Sequence, residues 1–263
     1  MGTDQYRVAV VGGGASGMMA AIAAAMVLPG RTIVLLEKNG ELGKKLLATG
    51  NGRCNLSHRD CRYSDYGPGG SLTVRQIFSK MNVVDTTALF EEIGLMTRDD
   101  EEGRRYPYSE QASTVRDLLE GEIRFLGIES RTGDRIATIA RREDGPGFVI
   151  GTDSGATMEA DALVLATGGK AGGQYGSTGD GYGFAKAFGH SLVRPRPALV
   201  PVVGKDWPHG DLKGVRAKGA VRLEAGDRFL AECRGEIQFT AYGLSGICLF
   251  DLSRFLDPEE TDA

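Results

Sequence analysis

The sequence predicts an α/β fold built on a parallel sheet, and three observations carry that prediction. Two short apolar runs, Arg7-Val8-Ala9-Val10-Val11 and Arg31-Thr32-Ile33-Val34-Leu35-Leu36, lack polar alternation and read as strands buried on both faces. Between them Met18 to Leu28 is rich in Ala and Met, with Met18, Ile22 and Met26 on one helical face, and Pro29-Gly30 ends it. A third buried run, Asp161-Ala162-Leu163-Val164-Leu165-Ala166, brings the chain back to the same sheet.

The first strand passes into Gly12-Gly13-Gly14-Ala15-Ser16-Gly17, the helix follows, and the second strand ends in Glu37. Each residue has a physical task. Gly12 permits the tight exit from the strand, Gly14 lets backbone amides approach a diphosphate, and Gly17 lets helix and strand pack closely. The diphosphate would rest on the helix N-terminus, where unpaired N–H groups and the macrodipole favour negative charge. Glu37, 20 residues after Gly17, is placed to accept hydrogen bonds from both ribose hydroxyls. A carboxylate there disfavours a 2′-phosphate, although Lys38 is its neighbour. The unit reads as a Rossmann-like dinucleotide site, with a nicotinamide or a flavin nucleotide still open.

Composition narrows the functional class. The 263 residues carry 31 Lys+Arg against 35 Asp+Glu, a formal charge of −4. Without a basic excess to release counterions, neither nucleic acid nor an anionic membrane is an expected partner. Glycine contributes 39 residues, about 15% and roughly twice ordinary usage. Cys54, Cys61, Cys233 and Cys248, with His58, His190 and His209, show no metal-ligand spacing, so no metal is expected. Four reduced thiols fit a cytoplasmic protein. Val8 to Leu28 runs 21 residues without a charge, long enough to imitate a membrane span. Four glycines interrupt it and Pro29-Gly30 closes it, so it is read as folded and soluble.

The loop after the second strand separates the dinucleotides. Gly43, Lys44, Lys45, Thr49, Gly50, Asn51, Gly52, Arg53, Cys54 and Asn55 combine glycines, amide donors and three cations. Such a segment can follow a diphosphate and continue along a ring system. A nicotinamide dehydrogenase has no need of it at this place, whereas a flavin enzyme often does. With GGGASG, LLEKN and LGKKLLATGNGRCN in one run from Val10 to Asn55, the chain resembles the bacterial aminoacetone-oxidase-like FAD-dependent oxidoreductases. Reported 3-dehydro-bile-acid reductases are related to that family, which belongs to the two-dinucleotide-binding-domain flavoprotein class. The resemblance covers essentially the whole chain, and GRCN is its most specific element.

The resemblance implies non-covalently bound FAD. Gly12, Gly14, Ala15, Ser16 and Gly17 would hold the diphosphate, and Glu37 with Lys38 the adenosine ribose. Gly43 to Lys45 and Thr49 to Asn55 would run along the pyrophosphate, ribityl chain and ring. The backbone near Ile136 would face the adenine, and the Ala166-Thr167-Gly168-Gly169 turn would lie near the dinucleotide. The implied activity is oxidation or reduction of a small organic molecule, with NAD(P)H or oxygen as redox partner. Two alternatives stand beside it. One is a NAD-binding dehydrogenase; the other is a non-catalytic FAD-binding fragment or subunit, completed by a second chain or by a homo-oligomer.

The remaining chain is read as a FAD-binding domain over 1–198, with a helical excursion at about 62–126, followed by the truncated start of an inserted β-rich domain over 199–263. Helices are expected over Leu72–Met81, Asp85–Ile93, Val115–Leu126 and Gly181–Phe188, with Gly94, Gly127 and Gly189 as stops. Strands are expected over Arg135–Arg141, Gly147–Thr152 and Thr157–Glu159, then Leu199–Val203, Val215–Leu223, Arg228–Ala231 and Glu236–Thr240. Asp257–Ala263 reads as a polar acidic tail. Arg104 and Arg105 are read as a solvated charge pair, Asp180 as an acid serving a helix dipole, and Cys54 as a packed thiol. No nucleophile–base constellation is present, so no catalytic residue is assigned.

Overall fold

Strand β1 (Asp4–Val11), helix α1 (Ala15–Ala25) and strand β2 (Ile33–Glu37) form the first βαβ unit. The computed structural model describes residues 4–81 and 83–256; the expected acidic tail lies outside the described residues. Helix α1 begins at Ala15 rather than Met18, because the Met18 amide already bonds the Gly14 carbonyl at 2.9 Å. It ends at Ala25. Met26, expected on the apolar face, falls after that end and is 66% exposed.

The rest of the first unit supplies, in chain order, β3 (Ser57–His58), α2 (Gly67–Phe78), α3 (Val83–Glu92), β4 (Thr97–Asp99), β5 (Arg104–Pro107), α4 (Ala112–Phe125), β6 (Glu129–Thr132), β7 (Ile136–Arg141), β8 (Phe148–Thr152), β9 (Thr157–Leu165) and α5 (Asp180–Ala187). The main sheet has the order β6-β2-β1-β9-β8-β7. β1 pairs in parallel with β2 (Val10↔Leu35) and with β9 (Val10↔Val164), and β2 pairs in parallel with β6. β7, β8 and β9 are joined antiparallel.

Alternate residues of β1 and β2 feed two cores on opposite faces of the sheet. Val10, Ile33 and Leu35 pack with Met18 and Ile22 of α1 and with Val115, Leu119 and Ile123 of α4. Ala9, Val11, Val34 and Leu36 pack with Ile136, Ile150, Met158 and Ala160. Each fully buried aliphatic side chain stabilises the fold by roughly 1.5–3 kcal/mol. β9 is continuous, whereas the sequence suggested a break near Ala160. Glu159 and Asp161 lie on its polar side, ion-paired with Arg142 (3.2 Å) and Arg7 (2.9 Å), while Ala160 between them is buried. β6, short and polar, was not anticipated.

The small sheet β3-β5-β4 settles the role of the arginine pair. Arg105 bonds Asp99 (2.7 Å) and Thr87, and Arg104 bonds Asp100 (2.7 Å) and Glu102. The Asp99 carboxyl is held below its ordinary range by the Arg105 guanidinium.

The chain divides into two compact units after Leu192. The second contains β10 (Val202–Val203), β11 (Arg216–Ala225), β12 (Arg228–Thr240), β13 (Gly243–Ser245) and α6 (Ile247–Ser253), with sheet order β10-β13-β12-β11. The two segments expected at Arg228–Ala231 and Glu236–Thr240 are one 13-residue strand. Its central Glu232-Cys233-Arg234-Gly235 is paired with β11 throughout, so local polarity was overridden by ladder hydrogen bonding. Expected strand Leu199–Val203 shrinks to Val202–Val203.

Candidate functional site

Three of the four glycines after β1 are demanded by the protein itself. A Cβ on Gly17 would stand 1.7 Å from the Gly12 carbonyl oxygen, and one on Gly12 would stand 2.4 Å from the Ala166 carbonyl oxygen. Gly12 also has φ +111°, a conformation other residues rarely adopt. A Cβ on Gly13 would meet Leu42 at 2.4 Å. Gly14 differs. Its backbone is extended and a Cβ there would meet no protein atom within 4 Å. Neither strain nor packing accounts for a glycine at this position, which lines the cavity described below.

Gly14 is also the N-cap of α1, with no side chain capping it and no acid in the first turn. The amides ahead of Met18 therefore have no intrahelical acceptor, and the dipole adds partial positive charge. Gly12, Gly13, Gly14, Ala15 and Ser16 line one wall of a cavity of about 450 Å³. Gly17 does not; it is buried beneath the turn. Gly43, whose amide donates to the Gly13 carbonyl at 2.8 Å, carries Lys44 to the same wall.

At the end of β2 the Glu37 side chain is buried and fixed by three donors. The Gly13 amide reaches Oε2 at 2.7 Å, and the Asn39 amide and Nδ2 reach Oε1 at 2.8 and 2.6 Å. A carboxylate offers about four lone-pair sites, so one acceptor direction remains beside the cavity. Asn39 further ties this corner to distant chain: its Nδ2 donates to the Tyr175 carbonyl, and its carbonyl accepts from the Gly133 amide. Lys38, Arg135, Tyr175, Gly176, Ser177 and Asp180 complete the polar end.

The other end is apolar, lined by Met19, Leu46, Leu56, Phe90, Val115 and Leu119. It is closed by the segment Leu46–Asn55, in which Gly50, Asn51, Gly52 and Cys54 all have positive φ. Two of these are not glycine, and such conformations cost of order 1 kcal/mol each unless the surroundings impose them. Imposition is visible. The Cys54 amide donates to the Thr49 carbonyl at 3.0 Å, and Arg53 stacks on the Tyr106 ring at 4.4 Å. Burial pushes the Cys54 thiol up, which suits a packed group and not a thiolate.

Of the residues singled out in the sequence, Gly12, Gly14, Ala15, Ser16, Glu37, Lys38, Lys44, Lys45, Thr49, Cys54, Asn55, Ile136, Ala166, Thr167 and Gly168 share this cavity. Gly17, Gly43, Gly50, Asn51, Gly52, Arg53 and Gly169 stand outside its lining and act on the backbone or packing behind it. Asp180, read as a dipole acid, does stand in the first turn of α5, and it also ion-pairs Lys38 at 2.7 Å and Arg135 at 3.3 Å. Asn39 had a local signal, a donor directly after the acid-tipped strand. Phe90 and Leu119 had none beyond ordinary helical apolarity. Among the described residues no cluster fit for a metal ion occurs.

The HI0933-like protein Rossmann domain matches residues 6–245. A 3-dehydro-bile acid delta(4,6)-reductase of Clostridium scindens is 40% identical over 250 residues, covering 95% of this chain and 60% of the reductase. A ribosomal RNA dihydrouridine synthase of Escherichia coli is 25% identical over 260 residues, covering 98% of this chain and 62% of the synthase. The chain thus spans about 60% of the length of these curated relatives. Among solved structures, a 3-ketosteroid-delta4-(5alpha)-dehydrogenase of Rhodococcus jostii RHA1 aligns with a TM-score of 0.49 at 18% identity, over 63% of this chain and 46% of that one.

Proposed function

The chain belongs to the HI0933-like Rossmann-domain family, and on that premise we propose that it seats FAD and serves the reduction of an activated carbon–carbon double bond in a small organic molecule. The open space at Gly14, beside uncapped helix amides and the fixed Glu37 carboxylate, carries the reading. FAD, when bound, supplies a two-electron hydride acceptor and donor. The chain does the rest. The Gly14–Ser16 backbone binds the diphosphate, Lys44 balances its charge, and Glu37 takes a ribose hydroxyl. The apolar walls near Phe90, Val115 and Leu119 exclude water from the buried part of the ligand.

The relatives' names support the substrate class. A delta(4,6)-reductase of a 3-dehydro bile acid saturates a double bond next to a carbonyl, and dihydrouridine is uridine with its ring double bond saturated. Both describe an electron-poor alkene. Such a reduction needs a two-electron donor, and NAD(P)H is the class we assign. A small molecule is favoured over RNA by the higher identity to the bile-acid enzyme and by the acidic net charge of −4. Among the described residues no helix is long and apolar enough to cross a membrane. A cytoplasmic setting, with a second chain or copy completing the substrate side, belongs to the same proposal.

The test is the visible absorption spectrum of the purified protein, followed by mass analysis of any ligand released by heat. FAD is expected. A colourless protein that also leaves added FAD unbound overturns the reading. Turnover is then assayed with NADH or NADPH and either a 3-oxo-4-ene steroid acid or a uridine-containing oligonucleotide, with consumption of the steroid expected.

A further inference from the structure

Four cations line the cavity, and they are treated differently. Lys44, beside the glycine turn, has no ion-pair partner among the described residues. Lys45 is tied through its Nζ to the Ala171 carbonyl at 2.8 Å. Lys38 and Arg135, at the polar end, converge on one carboxylate. Lys38 Nζ lies 2.7 Å from Asp180 Oδ2, and Arg135 Nη2 lies 3.3 Å from Asp180 Oδ1. Thr178 Oγ1 accepts from Lys38 and donates to Asp180 Oδ2 at 3.1 Å. The Gly181 amide, one residue on, donates to Thr167 Oγ1 at 3.1 Å, which pins the start of α5. The clasp therefore joins the end of β2, the start of β7 and the start of α5 around the buried Glu37.

On the reading that an adenine dinucleotide occupies the cavity, we infer that Asp180 is a specificity-determining residue that closes the polar end to a phosphorylated ribose. A phosphate monoester brings a charge of about −1.5 to −2 and three strong acceptors, and it needs free Arg or Lys donors to replace its water. Asp180 occupies both cations that could serve. With Glu37 beside them, the four side chains sum to zero. Neutralising Asp180 raises that sum to +1, releases the Lys38 ammonium next to the ribose position, and leaves Arg135 with only its longer, half-exposed contact to Asp153 at 3.7 Å. The free cation at Lys44 is left for the diphosphate, which every adenine dinucleotide shares. Discrimination is thus set by which cations are engaged and not by their number.

ADP-ribose and 2′-phospho-ADP-ribose differ only in the phosphate at issue, and titration calorimetry of the whole chain, freed of bound FAD and checked for refilling by added FAD, reads the ratio of their affinities. The wild-type protein is expected to favour ADP-ribose by tenfold or more, and D180N to bring the ratio down at least tenfold or invert it. Adding K38Q or R135Q to D180N is expected to restore part of the preference. A D180N ratio within twofold of wild type overturns the inference, as does a gain that persists in both double variants. R135Q alone provides an arm independent of how D180N folds. Its 2′-phospho-ADP-ribose affinity should match wild type, and a loss beyond threefold would show that Arg135 already serves phosphate, against the inference. Failure of the wild type to bind ADP-ribose or FAD at all sinks the nucleotide reading itself; FAD binding with an unmoved ratio sinks only the role of Asp180.

Discussion

Between Gly12 and Glu37 the cavity wall is made from the ends of a strand, a helix and a second strand; between Leu46 and Asn55 it is made from irregular turns. The first wall is shaped by what neighbours forbid. Gly12 and Gly17 have no room for a Cβ because carbonyl oxygens already stand there. The second is shaped by backbone dihedrals. Gly50, Asn51, Gly52 and Cys54 turn left-handed; a Cβ on Gly50 would stand 2.6 Å from the Asn55 amide nitrogen, but one on Gly52 would meet nothing within 4 Å. A glycine can therefore signal contact, conformation or, on the proposed reading of Gly14, close approach of a nucleotide, and only the surroundings tell these apart.

Substitutions across the two walls probe that distinction. The largest effect is expected for Gly17→Ala, whose new methyl would overlap the Gly12 oxygen: a loss of about 3 kcal/mol or more in urea unfolding, up to failure to fold. Gly14→Val should cost only about 1 kcal/mol, the loss of a favourable N-cap residue, while its FAD affinity, followed by flavin fluorescence, falls on the order of 100-fold, or about 2.7 kcal/mol. If Gly14→Val is as unstable as Gly17→Ala, the contrast between packing glycine and ligand glycine is gone.

A smaller effect concerns acid. Lys38, hydrogen-bonded to Asp180, together with Arg135 holds the Asp180 carboxyl below its ordinary range. Its contribution is present above the unfolded carboxylate value of about 4 and is lost as pH falls through the lower folded value. Apo-protein melting is expected to lose on the order of 1 kcal/mol over that acidic window, and D180N to show a flatter profile there. The smallest change is Asn51→Gly in the irregular wall. Relief of the left-handed conformation should raise apo stability by about 0.5 kcal/mol, read as a higher melting midpoint; a drop would mean that the Asn51 side chain, and not its φ of 56°, is what the loop uses.

The first βαβ unit was legible because every signal in it is local: unbroken β-branched runs, a glycine turn, an acid at a strand end. The glycine turn and Glu37 in the cavity lining followed from the same signals, whereas Ile136 and the Ala166–Gly168 turn entered only through the family resemblance. What escaped was long-range. Asp180 lies 142 residues from Lys38, its partner, and a helix-start acid looks the same whether it serves a dipole or a clasp. β9 and β12 were split in the sequence because Glu159-Ala160-Asp161 and Glu232-Cys233-Arg234 interrupt apolarity, yet strand pairing tolerates polar residues on an open face. β6, Glu129-Ser130-Arg131-Thr132, carries no apolar residue and exists through its ladder to β2.

Gly17 lies against the carbonyl of Gly12, and Gly12 against the carbonyl of Ala166. Contacts made from main chain on both sides give no compensating exchange of side chains a place to act, so mutation at one position cannot be rescued by mutation at the other. In a saturation library, positions 12 and 17 should stay intolerant under selection for folded protein alone, while position 14 becomes permissive as soon as selection for bound nucleotide is lifted.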